Sequence, residues 1–294
     1  MNLPGRLKLI PCLLLFATIL FSACKKEHSG DLTPDEELQA NVASTQAEAE
    51  ADVVFNSVFE DVFGANNDVG ILGVGVISSP TPPPCLTTSV IHLTTDPWPI
   101  KIIYDFGAGC MSPDGHLRKG RIIATYTNRL TIAGAKATIE FENFFIDSVK
   151  VEGVHKIANT SSNTTVGLQF AIDVSAKLLK PNGNYTEWSS HKKITQTAGN
   201  ITPQIAIDDV YKIEGNTSGI TRRNDFIVGW NATIVEPLMK ALNCRWVKKG
   251  AIRITRQNLS ANSQWVGVLD FGTGTCDNRA TLSINGRTVE IFLY

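Results

Sequence analysis

Four cysteines, Cys85, Cys110, Cys244 and Cys276, stand in two matching settings. One setting runs from Cys85 to Tyr126 and the other from Cys244 to Tyr294. Each opens with a cysteine, passes two alternating apolar runs and reaches an Asp-Phe-Gly turn that closes on another cysteine. The turns are Asp105-Phe106-Gly107-Ala108-Gly109-Cys110 and Asp270-Phe271-Gly272-Thr273-Gly274-Thr275-Cys276. A Gly-Arg pair stands ten residues after each closing cysteine, Gly120-Arg121 and Gly286-Arg287. Four thiols can form two disulfides, in three possible connectivities, or ligate a metal. The metal reading is the weaker one. There is no Cys-x-x-Cys, and none of the histidines His28, His92, His116, His155 and His191 lies at ligand spacing from a cysteine. The repeat favours Cys85–Cys110 and Cys244–Cys276, because each copy then holds its own bridge.

Other residues that could do chemistry give less. Asp-Phe-Gly matches the magnesium-binding triplet of protein kinases, but no glycine-rich loop with a strand lysine and no His-Arg-Asp loop accompanies it. A structural role is expected instead: the aspartate caps the turn, the phenylalanine enters the core and the glycines take special φ. A calcium site from Asp270, Asp277 and Asn278 lacks regular loop spacing. Glu140 and Glu142 share one strand face and could flank a glycosidic bond, although a solvated face is the commoner use of such a pair. Trp98, Trp188, Trp230, Trp246 and Trp265 fall in or near strands. Together on an exposed face they would stack on sugar rings; core packing is the expectation for most of them. No catalytic residue, metal ligand or cofactor-binding residue is assigned.

The elements that must carry these residues are mainly β. From Cys85 onward the runs alternate with period two and are rich in Val, Ile, Thr, Phe and Tyr. Strands are expected at 88–94, 100–105, 120–128, 136–144, 148–157, 166–179, 185–197, 209–217, 225–235, 245–255, 264–271, 278–284 and 287–293. Pro113-Asp114-Gly115, Pro181-Asn182-Gly183 and Asn285-Gly286 supply turns. The spacing predicts an antiparallel meander that forms a sandwich or a strongly curved sheet from two pseudo-repeats. A short helix is expected at Val235–Leu242. A weaker echo links Ile146 to Gly153 with Ile207 to Gly215, each ending in Glu-Gly.

Ahead of the sheet, Thr33-Pro34-Asp35-Glu36 reads as a helix start with a capping box, and the helix should run to about Phe63. Its first half is rich in Ala, Glu and Gln and is expected to project into solvent as a stalk. Its second half places Phe55, Val58, Phe59, Val62 and Phe63 on one stripe that docks on the sheet. Ile71 to Ile77 reads as an extended segment, and Ser78 to Pro84 as a stiff proline-rich linker.

The chain has 294 residues, 43% hydrophobic and 19% charged, with net charge −1. That balance offers no field to gather nucleic acid. Arg6 and Lys8 precede an apolar run from Leu9 to Phe21, the pattern of an export signal. Ser22-Ala23-Cys24 follows and resembles the lipobox of bacterial lipoproteins, in which cleavage precedes a cysteine that carries diacylglycerol. By that resemblance Cys24 is lipidated, and Lys25 after it favours the outer membrane. The parts are then a signal peptide at 1–23, a lipid anchor, helical stalk and linker at 24–84, and an antiparallel β domain at 85–294. The lipobox, the acidic helix and the repeated turns resemble uncharacterised outer-membrane lipoproteins of Bacteroidota. Asp147-Ser148-Val149 resembles the short O-glycosylation acceptor of that group's envelope proteins. The resemblance implies location and architecture and no activity. The leading expectation is a non-catalytic envelope lipoprotein, structural or binding a glycan or protein partner, and attached to the membrane through its lipid. A polysaccharide hydrolase and a periplasmic carrier of an apolar ligand are the alternatives.

Overall fold

The computed structural model describes residues 32–63, 83–112, 114–162, 167–202, 208–260 and 262–293. The signal segment, Cys24, the segment at 71–77 and the linker up to residue 82 lie outside the described residues.

Among the described residues one helix, α1 (Pro34–Phe63), precedes fourteen strands. Its start follows from the cap. The Thr33 N–H donates to the Glu36 carboxylate at 2.9 Å, and the Glu36 N–H returns to Thr33 Oγ1 at 3.4 Å. The strands are β1 (Thr87–His92), β2 (Ile100–Asp105), β3 (Cys110–Met111), β4 (Leu117–Tyr126), β5 (Lys136–Ile146), β6 (Val149–Asn159) and β7 (Gln169–Leu179). They continue as β8 (Tyr185–Ala198), β9 (Val210–Arg223), β10 (Phe226–Ala241), β11 (Lys249–Arg256), β12 (Gly267–Thr273), β13 (Arg279–Ile284) and β14 (Arg287–Phe292). They form one antiparallel sheet in chain order, with β3 pairing only β4, and its two edges, β1 and β14, do not pair with each other. Each of the expected strands is present, with ends moved by up to six residues, as at the ends of β9 and β10; the two-residue β3 is new.

The sheet curves around α1, as the helix's partners require. Tyr126 on β4 donates to the Val62 carbonyl at 2.8 Å, and Phe55 packs on His155 of β6 and on Trp188 of β8. Phe63 meets Phe170 of β7, and Arg256 at the end of β11 reaches Glu37. A single helix can touch strands so far apart in one sheet only if the sheet bends round it. Ile122, Ile139, Phe170, Trp230, Ile254 and Leu282 line the inner face and are almost wholly buried.

Two expectations need correction. The first half of α1 is not a solvent-exposed stalk. Ala40, Ala47, Glu48 and Ala51 are 0% exposed, so the helix is the core of the β domain rather than a spacer before it. The alanines permit close approach, and the acids meet charges on the sheet. Residues 235–242 are not helical either; most of them form the end of β10. Leu238 and Lys240 both face inward at a spacing of two, and Pro237 lies where the pairing with β11 is irregular, a place that tolerates its missing N–H. The apolar spacing of Val235, Leu238, Met239 and Leu242 imitated a helix.

Both disulfides join residues of one copy. Cys85 bonds Cys110, and Cys244 bonds Cys276. The first copy forms one edge of the sheet and the second the other. In both turns the aspartate Oδ1 accepts the glycine N–H two residues on, at 2.8 Å for Asp105 and 2.7 Å for Asp270. Phe106 and Phe271 are both buried. The weaker echo also has a shared cause. Gly153 and Gly215 adopt φ of 119° and 139°, and a Cβ on either would lie 2.2 Å from a carbonyl of the next strand. Only glycine allows the neighbouring strand so close there.

Candidate functional site

Three zones collect the chemistry-bearing side chains: the interior around α1, a cleft beside it, and a trough on the outer sheet face. In the interior, α1 carries a run of carboxylates, and each has a donor on the sheet. Arg256 binds Glu37 with two bonds, 3.1 and 2.5 Å. Trp188 and Trp230 donate their Nε1 hydrogens to Glu48 Oε2 at 2.8 and 3.0 Å. Lys180 meets Glu50 at 2.8 Å, Lys192 meets Asp52, and Lys240 meets Glu60 at 2.8 Å. Arg118 lies between two acids. It grips Asp114 with two bonds of 2.8 and 2.7 Å and reaches Asp61 with one of 3.2 Å.

Burial sets the protonation of these groups. Burial pushes the Asp61 carboxyl up to about 7 against the pull of Arg118, which Asp114 shares. Asp61 Oδ1 also has no hydrogen-bond partner. Burial likewise raises Glu48, opposed by Lys192. His155 is fully buried with neither ring nitrogen bonded, and burial together with the Lys192 charge pulls it down to about 3. Its imidazole is neutral and faces Phe55 edge-on. The ion pairs among these groups latch helix to sheet.

The cleft lies between α1 and the turns after β5 and β7. It measures about 400 Å³ and is bordered by Val53, Val54, Ser57, His116, Asp147 and Lys180 among others. His116 Nδ1 lies 2.9 Å from Asp147 Oδ2, while its Nε2 faces the Arg245 guanidinium. Arg245 can only donate, so His116 accepts at Nε2 and donates from Nδ1 to Asp147. Ser57 Oγ is taken by Arg118. Serine, histidine and aspartate therefore border one cleft without forming a nucleophile–base pair, since the nitrogen that would activate the serine is occupied.

The trough crosses the outer face of β6 to β9. Ser175, Ser189 and Ser218 are register neighbours on β7, β8 and β9, and form its floor. Trp188 points inward to Glu48, so its chain neighbours Glu187 and Ser189 point out. One row along, Glu152, Lys177 and Glu187 are also register neighbours, with Lys177 bonded to Glu187 at 2.8 Å. On the other side Asp173 pairs with His191 at 2.6 Å. Short serines between rows of long side chains leave a recess of about 500 Å³. The rest of this face carries Lys156, Lys193, Lys212, Glu214 and Asn216, not the apolar band that lipid-facing strands need. Among the described residues no helix is long and apolar enough to cross a membrane.

The residues singled out in the sequence do not share one place. Glu140 and Glu142 are exposed on β5, and Glu142 meets Arg121 at 3.3 Å. Asp277 caps the Arg279 N–H at 2.9 Å, and among the described residues no group of His, Cys, Asp or Glu could hold a metal ion. Trp188 and Trp230 are buried and Trp98, Trp246 and Trp265 pack partly into the core, so no tryptophan platform faces outward. The serine row escaped sequence reasoning. Its members lie 14 and 29 residues apart in the chain and become neighbours only through strand register.

No family model, curated protein or solved structure matches the chain.

Proposed function

We propose that the protein is a non-catalytic envelope lipoprotein, tethered to the outer membrane by acylation of Cys24, that binds a glycan or an envelope protein on its outer sheet face. The trough over Ser175, Ser189 and Ser218 carries this reading. Its hydroxyls are spaced by adjacent strands, about 4.8 Å apart. Ionic and amide side chains stand on both sides, and such a surface suits an extended, hydrogen-bonding chain laid across the strands. The side chains of α1 fill the interior, which weighs against the carrier alternative.

The hydrolase alternative has one supporting observation: Glu152 and Glu187 stand on the same side of the trough, with one strand between them. Both are half-exposed and ion-paired to lysines, at 2.7 Å to Lys150 and 2.8 Å to Lys177. Neither has the apolar surroundings that hold a general acid protonated.

Affinity gel electrophoresis of the full-length chain against envelope polysaccharides, beside a binding assay with solubilised outer-membrane proteins, tests the proposal. Retardation or capture should disappear in Ser189→Trp, which fills the trough from outside. Binding that survives Ser189→Trp would remove the trough, and release of reducing ends that depends on Glu152 and Glu187 would replace a binder by an enzyme. Palmitate labelling should be lost in Cys24→Ser.

A further inference from the structure

The cleft beside α1 has features the outer-face reading does not use. Its walls are Val53 and Val54 from the helix, Ile146 and Val149 from the β5–β6 hairpin, and Pro181 from the β7–β8 turn. Its volume, about 400 Å³, falls within the range of small-molecule sites. Charged groups stand at two points on its border. At one, Lys180 and Glu50 satisfy each other at 2.8 Å, and the Glu50 side chain is only 7% exposed. At the other stands Asp147, whose side chain is 54% exposed.

Asp147 is built for its position. It sits at the hairpin tip with φ of 53°, a conformation aspartate and asparagine tolerate. Oδ1 accepts the Leu117 N–H at 3.0 Å and Oδ2 accepts from His116 Nδ1 at 2.9 Å. Partial burial works to keep the proton on, but the hydrogen bonds from His116 and Leu117 and the charge of Arg245 hold the carboxyl below its ordinary value. It stays ionised, fixed in direction, and open to the cleft. Arg245 stands behind His116 and does not line the cleft. The accessible charge is therefore a carboxylate beside apolar walls.

We propose that this cleft is a binding site for a small amphipathic amine, with its apolar body between Val53, Val54, Ile146 and Val149 and its ammonium on Asp147. The site is separate from the trough and does not depend on the outer-face reading. Its ligand is matched by charge and shape: the half-exposed carboxylate accepts a cationic donor, and the Lys180–Glu50 pair offers no counter-charge for an anion that is not already committed.

Three probes with one apolar body separate the elements of the proposal: tryptamine, tryptophol and indole-3-acetate. Titration of the full-length chain, followed by protein-observed NMR, should show tryptamine binding about fivefold tighter than tryptophol, the effect of a half-exposed ion pair. Indole-3-acetate should bind weakest. Asp147→Asn keeps the left-handed turn and the acceptor for Leu117, so it should leave the fold intact and bring the three probes to similar affinity. Val53→Trp fills the cleft and should weaken all three. Equal binding of acid and amine by the wild type, tryptamine binding unchanged in Asp147→Asn, or no shift at cleft residues with any probe would each overturn the proposal.

Discussion

The two halves of α1 are buried equally and by opposite means. From Phe55 to Phe63 the helix presents aromatic and branched side chains: Phe59 stacks on Phe63 at 5.5 Å and meets Phe170 edge-on at 5.7 Å. From Glu37 to Asp52 it presents alanines and carboxylates, and the carboxylates are met by the cations Arg256, Lys180 and Lys192 and by two donating indole N–H groups. The aromatic stripe is held by contacts that any greasy surface could supply, although Glu60 and Asp61 beside it also find Lys240 and Arg118. The acidic half is held by particular partners at particular places. The difference separates attraction from specification: the aromatic stripe drives the helix into the sheet, and the ion pairs fix its height and rotation there.

That division can be broken at either end. Glu37→Leu removes the two-bonded carboxylate from a guanidinium that is only 6% exposed and should cost about 3–5 kcal/mol in urea unfolding. Adding Arg256→Met should recover most of that loss, since an apolar pair of similar volume replaces a buried ionic one. Phe59→Ala should also cost about 3–5 kcal/mol, and no second substitution restores it cheaply. A Glu37→Leu effect below about 0.5 kcal/mol would return the acidic half to solvent.

A smaller effect sharpens the comparison through pH. His155 has a folded value of about 3, below the ordinary 6.5, so its contribution is present above pH 6.5 and is lost as pH falls towards 3. By pH 5 that loss amounts to about 2 kcal/mol. Asp61 runs the other way: raised to about 7, it contributes fully below its unfolded value near 3.8, and that contribution is lost as pH rises through 7. The total slope is therefore a contest, and the informative quantity is the difference between variants. His155→Leu should gain about 2 kcal/mol on the wild type between pH 7.5 and pH 5. A constant difference across that range would mean the imidazole is not held neutral.

Local pattern revealed most of the sheet. Period-two alternation located the strands, and Asn285-Gly286 marked the last hairpin. The matched Asp-Phe-Gly turns indicated two bridges, one within each copy, and the capping box at Thr33 placed the helix start within a residue. The acidic half of α1 misled, because a buried carboxylate reads as a solvated one until its partner is known. Glu48 meets Trp188 and Trp230 from 140 and 182 residues away, a distance no local pattern spans. The trough and the cleft were hidden for the same reason. Ser175, Ser189 and Ser218 are unremarkable until register aligns them, and His116 meets Asp147 across 31 residues.

The order of parts along the chain also bears on how the molecule is assembled. The helix leaves the ribosome before the sheet, yet Arg256, the partner of its Glu37, follows 219 residues later. Until that late segment arrives, Glu37 has only water to satisfy it, and water does so well. Closing so long a loop costs chain entropy before the pair can form, so this end of the helix docks late.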